Sequence, residues 1–254
     1  MIEIPIRQSW LNTFSNCPEW ARHVRYGLVK ERETSDMLRG NIVHAAIEYC
    51  GNELLSTQVR PPLDEAIDHM DAAFHELAGA VEVWRHEYEE IVDVARANLT
   101  TWHTDLFPSL EPVGVEQYFR FPLDERDGVR IVLEGTADWV EDGIIYDWKN
   151  PGRAYEPWEK KRWDIQSHVY CAAFDCPKFR LVALVKGKMQ IIEIERRVPH
   201  LEALKEMCWS IVALLQSDLK VWPQRWAGWH CSPKWCPVWQ AGECRGKHLG
   251  PTPW

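Results

Sequence analysis

The segment from residue 135 to residue 149 constrains the fold of this chain more than any other stretch of its sequence. Residues 129–140 are largely apolar and β-branched, and residues 144–148 form a second, short apolar run. Between them, Glu141-Asp142-Gly143 supplies turn residues, of which glycine can adopt a positive φ. The pattern predicts two antiparallel strands joined by a tight turn.

This predicted hairpin carries three charged residues: Asp138 near the end of its first strand, and Asp147 and Lys149 on its second. Asp147 and Lys149 are two residues apart, so both side chains point to the same face of a strand. Two carboxylates beside a lysine can hold a hard divalent cation and activate a water molecule. A surface ion pair is the alternative, although an unpaired charge at the end of an apolar run would be costly.

The length and charge of the chain limit its class. With 254 residues, it can bury a full core as one domain, or as one domain with an attached subdomain. No stretch has the apolar length of a membrane span, and the start lacks the shape of a signal peptide, so we expect a cytoplasmic protein. The formal net charge of −9 argues against a uniformly basic surface, but it permits a locally basic groove.

Two groups of side chains each have two explanations. One is a cluster of basic residues, which is explained equally well by a basic groove and by a solvated helix start. Its members are Arg153, Lys160, Lys161 and Arg162. Tryptophans near the C-terminus could stack on unpaired bases, or pack around a cysteine-bound cofactor, which we favour for most of them. These are Trp222, Trp226, Trp229, Trp235, Trp239 and Trp254.

Hydrophobic periodicity predicts the remaining elements. Helices are expected at residues 7–26, 36–55, 63–79, 81–106, 163–174 and 199–219, and strands at 113–121, 129–140, 144–149, 181–185 and 189–194. This order predicts an α/β fold in which a mixed central sheet is flanked by helices, with an irregular cysteine-rich cap from residue 221. No phosphate-binding glycine-rich loop is present in the sequence, which argues against an ATP-driven motor.

Three of the eight cysteines, Cys231, Cys236 and Cys244, lie in the irregular cap and are hard to explain by packing. They predict a metal site with a fourth ligand from elsewhere. Cys17 is the best candidate for that ligand, ahead of His230 and His248. Zinc and an iron–sulfur cluster both fit four thiolates, and disulfides rank third because no secretion signal is present.

Four motifs follow one another along the chain: Gly40-x-x-x-His44, Gly135-x-x-Asp138, Asp147-Trp148-Lys149 and Gln166-x-x-x-Tyr170. This order resembles the PD-(D/E)XK nuclease superfamily, in particular its RecB- and AddB-like exonuclease branch. One cysteine before the core and three after it are similar to the iron–sulfur nucleases of that branch, among them CRISPR-associated nucleases. Trp139, Asn150 and the Cys-x4-Cys-x7-Cys spacing depart from the commonest family pattern.

The resemblance implies a role for each matched residue. Mg2+ or Mn2+ would be bound by His44, Asp138, Asp147 and the carbonyl of Trp148, and Lys149 would position or polarise the attacking water.

Two further pairs of residues are candidates for supporting roles. Gln166 and Tyr170 would orient the lysine or contact the DNA backbone, although by themselves they suit a helix face packed on the sheet. Glu116 is a candidate further acid, and Glu48 a candidate partner of His44.

The resemblance also implies one nuclease domain over residues 1–254. Residues 1–35 and 220–254 would be joined as an iron–sulfur subdomain, and residues 60–110 would be a helical insertion. The 4Fe-4S cluster of that subdomain, with zinc as the alternative, would be held by Cys17, Cys231, Cys236 and Cys244.

The implied activity is metal-dependent exonucleolytic hydrolysis of DNA, preferring single strands or ends. The expected settings are phage DNA processing, recombination and repair, or CRISPR adaptation, in a bacterial or phage-infected cytoplasm. The protein would act alone or with a separate helicase, recombinase or CRISPR-adaptation partner. The alternatives are a catalytically inactive DNA-binding or assembly module of the same fold, and a zinc-binding tail for protein interaction.

Overall fold

The computed structural model describes residues 1–225, 228 and 230–245, so Trp226, Trp229, His248 and Trp254 lie outside the described residues. The chain forms two compact units. Unit 1 comprises Met1–Arg32, Arg120–Gly135 and Pro199–Trp254, and unit 2 comprises Glu33–Phe119 and Thr136–Val198. No described helix is both long enough and apolar enough to cross a membrane.

The described part of the chain forms runs of helices and runs of strands. In chain order they are β1 (Ile2–Arg7), α1 (Gln8–Asn16), α2 (Pro18–Arg25), α3 (Ser35–Thr57), α4 (Leu63–Leu77), α5 (Tyr88–Asp105), β2 (Gly114–Arg126), β3 (Val129–Glu141), β4 (Ile144–Lys149), α6 (Asp164–Ala173), β5 (Lys178–Val185), β6 (Lys188–Glu195), α7 (Val198–Gln216) and α8 (Pro237–Gln240). Short 3-10 helices span Ala78–Ala80, Phe107–Ser109 and Pro157–Trp163.

The sheet is mixed, as the sequence predicted. Strand β4 pairs antiparallel with the end of β3, where Trp139 faces Tyr146, and parallel with β5, where Asp147 faces Leu181. Strand β5 pairs antiparallel with β6, and β2 pairs with β3. The parallel β4–β5 pair is connected through α6, as a parallel crossover requires.

The core of unit 2 decides which strand residues face the site. Trp102 of α5, Trp139 of β3 and Trp148 of β4 form a mutual edge-to-face cluster with ring centroids 5.9–6.2 Å apart. All three are fully buried together with apolar residues of α3, α4 and α5. Because side chains alternate along a strand, Asp138 and Asp147 point to the opposite face of the sheet.

Several elements differ from the sequence expectation. Strand β1, in which Ile2, Ile4 and Ile6 alternate, was not predicted, and Pro5 within it weakens the signal of a strand. In the described sheet, β1 pairs only with β3, in parallel, so it is an edge strand in which proline is tolerated. Helix α5 starts at Tyr88 instead of residue 81, β2 continues to Arg126, and a 3-10 helix precedes α6.

Unit 1 brings the segment after α7 against the first two helices. The Trp222 ring packs edge-on against Trp10 and Phe14, with centroids 6.3 and 6.2 Å away. Its backbone N–H donates to Glu19 Oε2 at 2.7 Å, and Arg225 donates to the carbonyl of Ser15. These contacts tie residues 222–225 to α1 and α2.

Candidate active site

The two hairpin acids hold different positions in unit 2. Asp138, on β3, accepts the backbone N–H of Trp148 through Oδ2 at 2.9 Å, which fixes its carboxylate against the neighbouring strand. Asp147, on β4, is 1% exposed. Burial raises the pKa of Asp147 to about 6, Lys149 opposes the shift and Asp138 adds to it. A buried acid with a raised pKa is typical of functional sites.

Lys149 contacts Asp147 directly, as expected for residues on the same face of a strand. Its Nζ lies 2.6 Å from Asp147 Oδ2 and 5.6 Å from the ring centroid of Trp163. Burial alone would lower the pKa of Lys149, but Asp147 and Asp138 outweigh it and raise the pKa. The lysine is therefore a cation held at the site at neutral pH.

Helix α6 brings Gln166 and Tyr170 onto the same acids. Gln166 Nε2 donates to Asp147 Oδ1 at 2.6 Å and to the Tyr170 hydroxyl at 3.4 Å. The Tyr170 hydroxyl donates to the carbonyl of Thr136 at 2.8 Å, and burial raises its pKa. Both residues are buried, so Gln166 positions Asp147 from within the protein and Tyr170 in turn supports Gln166.

His44 reaches the site from α3. Its Nε2 lies 2.7 Å from the carbonyl oxygen of Trp148, and its Nδ1 lies 3.7 Å from Asp138 Oδ2. If Nε2 carries the proton and donates to that carbonyl, Nδ1 is left with a lone pair for a cation. The Trp148 carbonyl is thus a hydrogen-bond partner of His44.

Glu116, which the sequence marked only as a candidate further acid, lies at the centre of the site. It has a left-handed φ of 46°, which is unusual for a non-glycine residue and indicates strain at a functional position. Burial, with Asp138 and Glu48 adding to it, raises the pKa of Glu116 to about 8. Glu48 thus acts electrostatically on Glu116.

Three side chains could hold a metal ion together. One ligand atom each of His44, Glu116 and Asp138 lies within 4.8 Å of the other two. One imidazole and two carboxylates suit a divalent cation that prefers hard ligands. Asp147 is engaged by Gln166 and Lys149 and does not belong to this group.

Sequence reasoning missed two aromatic residues beside the lysine. Lys149 lies over the ring of Trp163, whose centroid is 5.5 Å from that of Tyr155. Burial raises the pKa of Tyr155 to about 12, and the charge of Lys149 opposes the shift. Tyr155 lies in a loop without periodicity, so no sequence signal could have found it.

In unit 1, the four predicted cysteine ligands are neighbours. Burial raises the pKa of Cys231, and Cys17 and Cys244 add to the shift. Burial also raises the pKa of Cys236; the backbone N–H groups of Trp239 and Val238 oppose that shift, and Cys244 and Cys17 add to it.

The chain is similar to known proteins in sequence pattern and in fold. A family model described as PD-(D/E)XK nuclease superfamily matches residues 6–245. A candidate exonuclease from Eubacterium rectale has a similar solved structure, with a TM-score of 0.59 and 13% identity over 89% of this chain and 86% of that one.

Other comparisons give weaker likenesses or none. The alkaline exonuclease LHK-Exo from Laribacter hongkongensis matches at a TM-score of 0.30 and 11% identity, over 73% of this chain and 91% of that one. LHK-Exo in complex with dAMP matches at a TM-score of 0.34 and 11% identity, over 73% and 88%. A sequence search of curated proteins gives no match.

Proposed function

Because the chain belongs to the PD-(D/E)XK nuclease superfamily, we propose that it is a metal-dependent deoxyribonuclease that acts on single strands or ends of DNA. The carrying observation is that three side chains able to bind a cation, His44, Glu116 and Asp138, converge beside the ion pair of the buried Asp147 and Lys149. A non-catalytic module would have no need to keep a buried carboxylate at this point, since burying charges is costly.

The residues divide the chemistry among them. His44, Glu116 and Asp138 would hold Mg2+ or Mn2+, which would polarise the scissile phosphate and lower the pKa of a bound water. Lys149 carries a positive charge that offsets the charge of the phosphate and can orient the attacking water. Asp147 holds Lys149 in place, Gln166 holds Asp147 and Tyr170 supports Gln166, and Asp147 would be a further ligand of the cation.

An exonucleolytic mode is supported by likeness alone. The Eubacterium rectale protein with a similar fold is described as an exonuclease, and the motif order resembles an exonuclease branch of the superfamily. We extend that activity to this chain as part of the proposal. A separate helicase, recombinase or CRISPR-adaptation protein would supply the free ends or single strands.

We further propose a 4Fe-4S cluster on Cys17, Cys231, Cys236 and Cys244. Two backbone N–H groups favour the thiolate of Cys236, and such donors to sulfur are typical of cluster sites. This cluster would join residues 1–35 to residues 220–254. Zinc bound by the same four thiolates is the alternative.

Cleavage of end-labelled single-stranded DNA tests the nuclease proposal. Anaerobically purified protein is incubated with Mn2+, Mg2+ or EDTA beside Lys149→Ala and the control Lys188→Ala, which changes an exposed lysine on β6. We expect metal-dependent shortening by the wild type and by Lys188→Ala, and a loss on the order of 10²–10³-fold in Lys149→Ala. The end that is shortened reveals the polarity.

Two results would contradict the proposal. Equal shortening in EDTA would exclude the metal, and equal cleavage by Lys149→Ala would exclude its assigned role. If the intact wild type binds DNA without cutting it under any metal, the chain is a binding module of the nuclease fold.

A further inference from the structure

The segment that follows Lys149 is held rigidly beside the lysine. Trp163, at its end, contacts Lys149 Nζ through its ring face. Tyr155, near its middle, exchanges two hydrogen bonds with Gln190 of β6: Tyr155 N–H donates to Gln190 Oε1 at 2.8 Å, and Gln190 Nε2 donates to the Tyr155 carbonyl at 2.9 Å. The 3-10 helix Pro157–Trp163 therefore has a defined position relative to the site.

A buried carboxylate organises this helix. The side chain of Glu159 is fully buried and accepts hydrogen bonds from Arg153 at 2.7 and 3.1 Å, while Arg162 lies 3.0 Å away. It also accepts the backbone N–H of Glu156 at 2.9 Å, in a capping box. Hydrogen bonds from Arg153 lower the pKa of Glu159 to about 2. The ionised carboxylate of Glu159 thus fixes the orientation of Arg153 and Arg162 through its ion pairs.

Trp158 is presented outward by the same helix. Its side chain is 64% exposed, the largest exposure among the described tryptophans. The guanidinium of Arg162 lies over its ring, 5.5 Å from the centroid. Large aromatic side chains are normally buried on average, so an indole held open by an ordered frame indicates a binding surface.

The positive charge around Trp158 indicates that its ligand is an anion. Lys160, Lys161 and Arg162 are three consecutive cations in a chain of net charge −9. Trp158 precedes Trp163 by five residues, which is about 10 Å along a 3-10 helix at about 2.0 Å per residue. A polyanion whose phosphate lies at Lys149 would therefore meet both the indole and these cations within a few nucleotides. An apolar protein partner would not call for such a concentration of positive charge.

We propose that Trp158 and Arg162 form a stacking platform for an unpaired base of the DNA strand, a few nucleotides from the scissile phosphate. This proposal rests on the proposed function, because it assigns the substrate contact of the same site. Every base has a π-face on which the indole can stack, so the platform binds the strand without sequence specificity. Duplex DNA offers no unpaired base to the indole, and the platform therefore favours single strands or frayed ends.

Binding in EDTA, where the strand is not cut, tests the platform separately from catalysis. Fluorescence anisotropy of labelled single-stranded DNA is measured at one fixed salt concentration for the wild type, Trp158→Ala, Trp158→Phe and Trp84→Ala. Trp84 is the matched control, because it is 44% exposed in the same unit and stacks on Tyr88. We expect Trp158→Ala to raise Kd about 5- to 100-fold, Trp158→Phe to restore most of the affinity, and Trp84→Ala to change Kd less than about twofold.

Abasic nucleotides complete the test. One abasic position, scanned along the strand, should weaken the wild type as much as Trp158→Ala does and should weaken Trp158→Ala no further. If abasic sites weaken both proteins equally, or if Trp158→Ala binds like the wild type, the platform is wrong even if the wild type cuts DNA. Binding that depends on Trp158 without any cleavage would support the platform and overturn the nuclease. A wild type that neither binds nor cuts would overturn both.

Discussion

The acid–lysine site of unit 2 and the cysteine group of unit 1 are shaped by different forces. In unit 2, several side chains of the site have a protein partner: Asp138 has Trp148 N–H, Asp147 has Gln166, and Tyr170 has the Thr136 carbonyl. In unit 1, the cysteines lie at a helix break and in an irregular segment, and their chief shared feature is their proximity to one another. Strands and helices hold the side chains of a site in position before a cation binds. Thiols on irregular segments, by contrast, depend on a bound cofactor to stay close together.

Removal of one thiolate should have the largest effect, because it would remove the whole of the proposed cluster. We expect Cys17→Ser to lose its iron and to lower Tm by roughly 10 °C, since each kcal/mol shifts Tm by about 2–4 °C in a chain of this size. Iron content, the absorption spectrum and thermal unfolding of anaerobic protein measure this.

Cys208→Ala provides the matched control in unit 1, because Cys208 is fully buried on α7 and is not one of the proposed ligands. It should keep its iron and lose less stability. Full iron content in Cys17→Ser would remove that residue from the ligand set, and stoichiometric zinc in colourless wild-type protein would replace the cluster.

Disruption of one hydrogen bond in unit 2 should have an intermediate effect on the rate of DNA cleavage and little effect on the iron content. Gln166→Leu leaves Asp147 Oδ1 without its donor at 2.6 Å, so we expect cleavage to fall about 10–100-fold. Ser167→Ala, at a buried neighbour that bonds to the Asp164 carbonyl, is the control and should cleave nearly normally. Normal cleavage by Gln166→Leu would reduce Gln166 to a packing residue.

The pH dependence of metal binding should be the smallest effect. Burial keeps Glu116 protonated below a pKa of about 8, and a cation must displace that proton. Affinity for Mn2+ should therefore rise with pH, by at most about tenfold per unit for one proton, and level off above pH 8. Calorimetry in buffers of different ionisation enthalpy measures the released protons.

Glu48→Gln sharpens this expectation. The charge of Glu48 helps to raise the pKa of Glu116, so its removal should move the plateau to lower pH. Glu116→Gln should remove that step altogether. A pH profile that is the same in Glu116→Gln and the wild type would exclude Glu116 as the titrating ligand.

Local sequence predicted the strands of the site well, because their signals are local. The turn at Gly143 has a φ of 75°, as the hairpin prediction requires, and the two-residue spacing of Asp147 and Lys149 puts them in contact. The alternation Asp147-Trp148-Lys149 also separates the site face from the core face. By contrast, β1 was not predicted, and Pro5 within it is acceptable only at an edge, which is a property of the assembled sheet.

By itself, the sequence determined the mixed α/β fold, the order of the site motifs and the hairpin that carries the acid pair and the lysine. Only the tertiary structure decided that Glu116 joins His44 and Asp138, that Gln166 supports Asp147, and that Trp163 covers Lys149. These contacts join residues that are 14 to 94 positions apart in the sequence, from Lys149 and Trp163 to His44 and Asp138, and no periodicity within one segment encodes them. The physical reason is that the sequence pattern indicates only which face of a strand or helix a side chain occupies. The partner of that side chain depends on the packing of the tryptophan core, because this packing sets where each helix crosses the sheet.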